Sequence, residues 1–225
     1  NNGRVTNLRR VTYVVLDEAD RMFDLGFAPQ IDRIVGNTRP DRQTMLFSAT
    51  FPDEIATLSR QIQREPQRIT VETRVATTLL KQRVYRCDPG ERHSLVVNLL
   101  AEVRPARALV FCETREDCRN LGHYLDERGA VALALHGDME QRDRDEVLLR
   151  FGNGSASILV ATNLASRGID IPSLPLVLIS ELSHDPESHL HRIGRTGRAG
   201  EEGLALSIVA GARERERLDT IEEHL

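Results

Sequence analysis

The chain has 225 residues, 40% of them apolar, and a formal net charge of −4. That is enough to bury one large core or two small ones, and the mild acidity excludes a surface coated throughout in basic charge while permitting the local basic groove that nucleic acid needs. No apolar run approaches the roughly 18 residues of a membrane-spanning helix, and the polar start Asn1, Asn2, Gly3, Arg4 lacks the shape of a signal peptide, so no membrane partner is expected.

In chain order, residues 11–16 read as a fully buried strand, an apolar run that closes on the acids Asp17 and Glu18. A helix is predicted around 31–35, a buried strand at 44–47, a helix over 52–63 with Pro52 in its first turn, and a third strand at 68–72. Residues 1–73 thus form a first domain and 74–80 a linker. From Lys81 the pattern restarts as a second domain over 81–225. Its strands are predicted around Val84 and at 108–111, 131–135, 158–161, 176–179 and 204–209. Its helices are predicted over 91–103, 115–128, 140–151 and 212–224, with unassigned segments around Arg167 and His191. Strands alternating with helices predict an α/β fold with parallel, doubly wound sheets, whose ligands sit at the carboxyl ends of the strands.

The chemistry-bearing residues lie at those ends. Asp17, Glu18, Ala19, Asp20 close one strand, where an uncompensated charge is costly unless it meets a cation or hydrogen-bond donors. Near the other end, His191 and Arg192 lead into Arg195 and Arg198, with Gly194 and Gly197 interspersed. Paired acids suit a hydrated Mg²⁺ and guanidinium forks suit phosphate oxygens, which points to a nucleotide shared between two domains. Each motif also has a bland reading: a helix N-cap acid for Asp17 or Glu18, a solvated basic helix face for the arginines. Of the 30 basic residues only Lys81 is a lysine, and it follows Leu80, so the chain contains no G-x-x-x-x-G-K-[ST] phosphate loop. Cys87, Cys112 and Cys118 form no Cys-x-x-Cys pair, which fits a reducing, cytoplasmic setting, and no Cys/His spacing suits zinc. His93, His123 and His224 read as surface residues.

Taken together, Asp17 to Asp20, then Ser48, Ala49, Thr50, then Ala161, Thr162 through Arg167, Gly168, Ile169, Asp170, then His191 to Arg198, resemble motifs II, III, V and VI of the DEAD-box RNA helicases in order and spacing. Residues 109–114 and 141–144 are similar to motifs IV and IVa, so the resemblance spans essentially the whole chain. Residues 136–151 and 181–192 are similar to the bacterial DbpA branch, which works on large-subunit ribosomal RNA, whereas residues 1–50 look more like the splicing-associated Prp5 branch. No single pathway follows from the two.

The resemblance implies two RecA-like domains that use ATP and Mg²⁺ to separate or remodel RNA, acting as a monomer on RNA or an RNP through backbone contacts. It implies that Asp17 holds Mg²⁺ through water and that Glu18 orients the attacking water. Arg195 and Arg198 would be arginine fingers, Asp170 a ribose contact, and Asp20, Ser48, Thr50, Arg167, His191 and Arg192 would couple the domains. Gly137, Gln141, Arg144 and Thr162 would face RNA. Alone, Ser-Ala-Thr is a small-residue turn, Arg-Gly-x-Asp a common turn, and Gln141 with Arg144 a helix surface. Two departures stand out. Asn163 replaces the family's usual aspartate, which implies weakened or rewired coupling. The glutamine motif, the Walker A loop and motifs Ia and Ib are also missing ahead of residue 11. A fragment of a helicase is therefore expected, its first sheet left with an exposed edge. The alternative is an RNA-binding module without turnover. A RecQ-type DNA helicase is disfavoured by Asp-Glu-Ala-Asp and by Ser48 to Thr50.

Overall fold

The computed structural model describes residues 7–70, 79–163, 165, 174–197 and 201–224. The chain divides into two compact units, Asn1–Glu72 and Thr73–Leu225.

In the first unit, strand β1 (Tyr13–Leu16) runs parallel to β2 (Gln43–Leu46), joined through helices α1 (Ala19–Asp24) and α2 (Ala28–Gly36) and followed by α3 (Asp53–Ile62). Val14 and Leu16 pack with Ile31 and Val35 of α2 and Leu58 and Ile62 of α3. Those helices therefore cover one face of the sheet. Tyr13 and Val15 point the other way and stand 64% and 54% exposed, so the expected fully buried strand is a half-buried one. Its residues alternate because strand side chains have period two and no described element covers the second face.

The third strand predicted at 68–72 does not form over its described part: residues 66–70 are irregular and Ile69 is 84% exposed. The outer edge of β2 is instead taken by side chains. Gln63 Nε2 donates to the Thr44 carbonyl at 3.1 Å, and Arg64 Nη2 donates to the Arg42 carbonyl at 3.3 Å. Carbonyls already satisfied by side chains leave a further strand less to pair with.

The second unit is a six-stranded sheet in the order β3-β8-β7-β4-β6-β5, with every recorded pairing parallel. Its strands are β3 (Leu80–Cys87), β4 (Ala108–Cys112), β5 (Ala132–Leu135), β6 (Ile158–Thr162), β7 (Leu176–Ile179) and β8 (Gly203–Ala210). Its helices are α4 (Arg92–Val103), α5 (Arg115–Asp126), α6 (Gln141–Gly152), α7 (Pro186–Ile193) and α8 (Gly211–His224).

Alternate residues of the central strands feed two cores. Ala108, Val110, Val160 and Leu178 pack with Val96 and Leu99 of α4 and Leu121 and Leu125 of α5. Leu109, Phe111, Leu159 and Ile179 pack with Phe151 of α6, Ile193 of α7 and Leu218 of α8. Cover on both faces explains why β4, β6 and β7 are apolar at nearly every position. Leu80, assigned to the linker by sequence, begins β3 and is buried in the core, and the Leu79 carbonyl accepts from Gly203 N–H at 2.9 Å. The linker's other residues, 74–78, lie outside the described residues.

Two helices were not anticipated, α1 and α7. The second is begun by Asp185, whose side chain accepts the N–H groups of Glu187 and Ser188 at 3.2 and 3.0 Å, with Pro186 in the first turn. An acid cap followed by proline is a helix start, so the signal was present. Near this helix, β8 starts against a tight loop. A Cβ on Gly203 would stand 2.7 Å from Gly197 Cα and clash with the Gly197 nitrogen and Thr196 Oγ1, so only glycine permits this approach.

Candidate functional site

At the end of β1 the exposed Asp17 accepts the Glu18 N–H on Oδ1 at 3.0 Å. Glu18 itself is left-handed, φ 51° and ψ 49°, and is the N-cap residue of α1. That conformation is uncommon for a side chain of this size and costs on the order of 1 kcal/mol, so the strand-to-helix corner is held by its surroundings. One brace is the Ala19 N–H donating to the Phe47 carbonyl at 3.0 Å.

The stronger brace is Asp20, buried at 7% exposure. Its N–H donates to Ser48 Oγ at 3.1 Å, and its Oδ2 accepts the Thr50 N–H at 2.7 Å and the Thr50 hydroxyl at 2.9 Å. Its Oδ1 accepts the Arg21 N–H at 2.9 Å. Burial pushes this carboxyl up, but the hydrogen bonds from Thr50, Arg21 and Ser48 outweigh it and hold it below the usual aspartate range. The two sequence motifs are therefore one hydrogen-bonded unit. A hydrated Mg²⁺ takes one or two carboxylates and completes its shell with water and phosphate, a demand that the exposed Asp17 fits. A cage of protein ligands is not needed, and no group of three or more metal-ligating side chains occurs among the described residues.

In the second unit the central residue is Arg192, which is 1% exposed. Its Nη2 donates to Glu113 Oε2 at 2.7 Å, its Nη1 donates to the Glu181 carbonyl at 3.0 Å, and its guanidinium carbon lies 5.4 Å from the centre of the Phe111 ring. Glu113 follows β4 and Glu181 lies just past β7, so one arginine ties the last turn of α7 to two neighbouring strand ends. Both Nη groups are thus engaged inside the second unit, as a buried guanidinium requires, while the buried Nε has no hydrogen-bond partner among the described residues.

His191 and Arg195 remain partly exposed just beside it. The Arg195 N–H donates to the Arg192 carbonyl at 3.1 Å, and the Arg195 carbonyl accepts the Leu174 N–H at 3.1 Å. The Thr196 hydroxyl donates to the Leu174 carbonyl, and Gly197 takes φ +67°. His189, one turn before Arg192, is buried and its imidazole is pushed down to about 4, first by burial and then by the Arg192 charge.

Thr162 ends β6 and is buried at 5% exposure. Asn163, next in line, donates from Nδ2 to Ser188 Oγ of α7 at 3.2 Å. Gln141 is exposed at the start of α6, with its Nε2 donating to Asp145 Oδ1 at 2.7 Å. Arg144 Nη2 donates to the Ala165 carbonyl at 3.2 Å. Gly137 is exposed in the preceding loop, and a Cβ there would meet nothing within 4 Å. That loop is tied to α5 by the Arg115–Asp138 ion pair. Its buried His136 is held below the ordinary imidazole range, chiefly by burial and then by the charges of Arg119 and Arg115 against the opposing pull of Asp138.

Arg167, Asp170 and Arg198 lie outside the described residues. His123 and His224 are exposed as expected, but His93 is half-buried, its ring 5.4 Å from that of Tyr124, and burial lowers its pKa. Glu113, Glu181, Ser188 and His189 were missed. For Glu113 a signal existed: an acid closing the apolar run 108–112, the same pattern that singled out Asp17 and Glu18.

Residues 1–58 match the DEAD/DEAH box helicase family, and residues 91–200 match the helicase conserved C-terminal domain. The ATP-dependent RNA helicase DbpA of Escherichia coli (strain K12) is 46% identical over 219 residues, covering 97% of this chain and 48% of that protein. The pre-mRNA-processing ATP-dependent RNA helicase prp11 of Schizosaccharomyces pombe is 42% identical over 224 residues, covering 97% of this chain and 22% of that protein. Relatives from both branches thus match across nearly the whole chain, and the chain spans about half of the first and less of the second. Saccharomyces cerevisiae Dbp5 bound to RNA and ADP BeF3 superimposes with a TM-score of 0.82 at 29% identity, covering 96% of this chain and 58% of that one. With an Asp-Glu-Ala-Asp strand end locked to Ser48 and Thr50, a parallel RecA-like sheet carrying the arginine segment, and these matches, the chain belongs to the DEAD-box RNA helicase family.

Proposed function

We propose that the chain is the part of an ATP-dependent RNA helicase that hydrolyses ATP and transmits its state to RNA, coupling nucleotide turnover to local duplex separation or RNP remodelling. The observation that carries this reading is the Asp20 network: the residue two beyond Glu18 is joined by three hydrogen bonds to Ser48 and Thr50, so a shift at the hydrolytic acids is felt at the next strand end.

In this reading Glu18 positions or deprotonates the attacking water and Asp17 orients a water-bound Mg²⁺, which would supply charge neutralisation of the phosphates. Arg195 stabilises charge that develops on the transferring phosphoryl group, with Arg198 as a second finger, Asp170 on the ribose, and Arg167 and His191 in coupling. RNA is held through its backbone at Gly137, Gln141, Arg144 and the Thr162 strand end, without base reading. Candidate targets are ribosomal RNA or an RNP, and the active form is a monomer. Three free cysteines, two of them buried, support a reducing, cytoplasmic compartment. Among the described residues no helix is long and apolar enough to cross a membrane.

The test is RNA-stimulated ATP hydrolysis and duplex separation by this chain beside a version extended to the length of its relatives with a lysine-bearing phosphate loop. Turnover by the extended form alone supports the reading with this chain as one part of the machine. RNA binding without turnover in either form supports the RNA-binding module instead. Turnover by the chain as it stands would show that the phosphate loop is dispensable.

A further inference from the structure

We propose that Glu113 is a positioning residue for Arg195, acting through Arg192; this rests on the assignment of Arg195 to the phosphoryl group. The Arg195 backbone is fixed on both sides. Downstream, the Leu174 N–H and the Thr196 hydroxyl bond between the two segments. Upstream, the Arg195 N–H bonds to the Arg192 carbonyl, so on that side the position of Arg195 follows that of Arg192. Arg192 is in turn held by two hydrogen-bond partners from strand ends, the Glu113 carboxylate and the Glu181 carbonyl.

Of these two partners Glu113 alone carries charge. A guanidinium at 1% exposure stays in place only while a carboxylate offsets its desolvation, and Glu113 sits with 29% of its side chain open to solvent, able to supply that charge from the edge of the core. Removing the Glu113 charge leaves the buried cation uncompensated. It then turns toward solvent and pulls the last turn of α7, and with it Arg195, off its position. A displacement of about 1 Å at a phosphoryl-transfer group is enough to cost on the order of 10²-fold in rate.

Two variants separate this from a general loss of structure. Glu113→Gln keeps length and an acceptor oxygen but loses the charge; Glu113→Asp keeps the charge one methylene short. In the full 225-residue chain, amide hydrogen exchange and the arginine Nε–H signals are followed by NMR. Exchange at residues 194–197 should rise in Glu113→Gln, less so in Glu113→Asp, while β4 and β6 keep their protection. In the extended form kcat should fall about tenfold or more in Glu113→Gln with KM for ATP and RNA affinity within about twofold, and Glu113→Asp should recover part of it.

Unchanged exchange at 194–197 overturns the proposal, and so does loosened exchange with an unchanged kcat. If the Gln variant does not fold, the Asp variant alone decides by the same criteria. If the unmodified extended form shows no turnover, the assignment of Arg195 fails, and the exchange measurement still decides whether Glu113 fixes the segment.

Discussion

The first unit buries the charge of Asp20 and the second that of Arg192, each beside parallel strand ends, and the two are held by opposite means. Asp20 is surrounded by neutral donors, two backbone N–H groups and the Thr50 hydroxyl, with its own N–H on Ser48. Arg192 is held by a full countercharge and a carbonyl. The difference lies in what each can tolerate. The Thr50 hydroxyl can rotate and the neutral N–H groups can take water when the carboxylate moves, which suits the relay proposed for Asp20. A desolvated guanidinium cannot give up its carboxylate cheaply, which suits a fixed mount.

The largest effect separating the two follows from chemistry rather than folding. In the extended form, Arg195→Ala should lower ATP turnover by about 10³-fold while changing RNA affinity little, and Glu18→Gln should abolish hydrolysis while sparing ATP binding. Steady-state turnover alongside nucleotide and RNA titrations reads both, and wild-type turnover in either variant would remove that residue from the site. Next in size is the contrast in stability itself. Arg192→Ala should destabilise the second unit by about 3–5 kcal/mol, since it opens a buried ion pair and leaves the space beside Phe111 empty. Asp20→Ala should cost the first unit only about 1–3 kcal/mol, because its donors find water. Urea unfolding followed by hydrogen exchange in each unit measures the two separately, and equal losses would erase the distinction.

Acid should also strike the units unequally. The His189 imidazole is pushed down to about 4 in the folded unit, against an ordinary value of 6.5. Between those values the unfolded chain binds the proton that the folded one refuses, so the stability is complete above about 6.5 and is lost as pH falls through about 4, up to about 3 kcal/mol in all. Asp20 is likewise held low, but from an ordinary 3.8, so its contribution persists through that window and fades only below it. Unfolding midpoints between pH 7 and 4 should therefore fall for the second unit before the first, and His189→Gln should flatten that slope. A smaller sterically driven effect belongs to Gly203→Ala. Its new methyl group meets the Thr196–Gly197 backbone and should shift the arginine segment with little change in the sheet, readable as exchange confined to residues 194–197.

How legible all this was in the sequence depends on whether a residue's neighbours were local. β4, β6 and β7 were read within one residue of their ends, because uninterrupted apolar runs have one interpretation when both faces are covered. β1 was over-read for the same reason: an apolar run says what a strand prefers, not whether a layer exists to cover its second face, and Tyr13 and Val15 lack one among the described residues. Over its described residues, 68–70, the predicted strand at 68–72 is irregular, and the Thr44 carbonyl is bonded by Gln63, a contact 19 positions away in sequence that no local pattern reveals. Asp17, Asp20, Ser48 and Thr50 were found by motif, and Asp20 is joined to Ser48 and Thr50 in the structure. Arg192 was found too, but its partner Glu113 stands 79 positions earlier, and no local spacing links them.

The smallest test concerns Asn163, which stands where the family usually has aspartate. Its Nδ2 donates to Ser188 Oγ at 3.2 Å, so the amide joins the end of β6 to the first turns of α7, the helix that ends in Arg192. A carboxylate at the same place would have to accept, and the Ser188 hydroxyl can turn to donate. Asn163→Asp should therefore keep the link, reverse its direction, and change the stability of the second unit by less than about 1 kcal/mol. The added charge would stand within a helix turn of His189, whose imidazole it would stabilise in the protonated form, raising its pKa from about 4. A titration of His189 by NMR in Asn163→Asp thus reads the polarity of this joint directly: an upward shift places the new carboxylate against α7, and an unmoved midpoint means that the side chain has turned away from the helix.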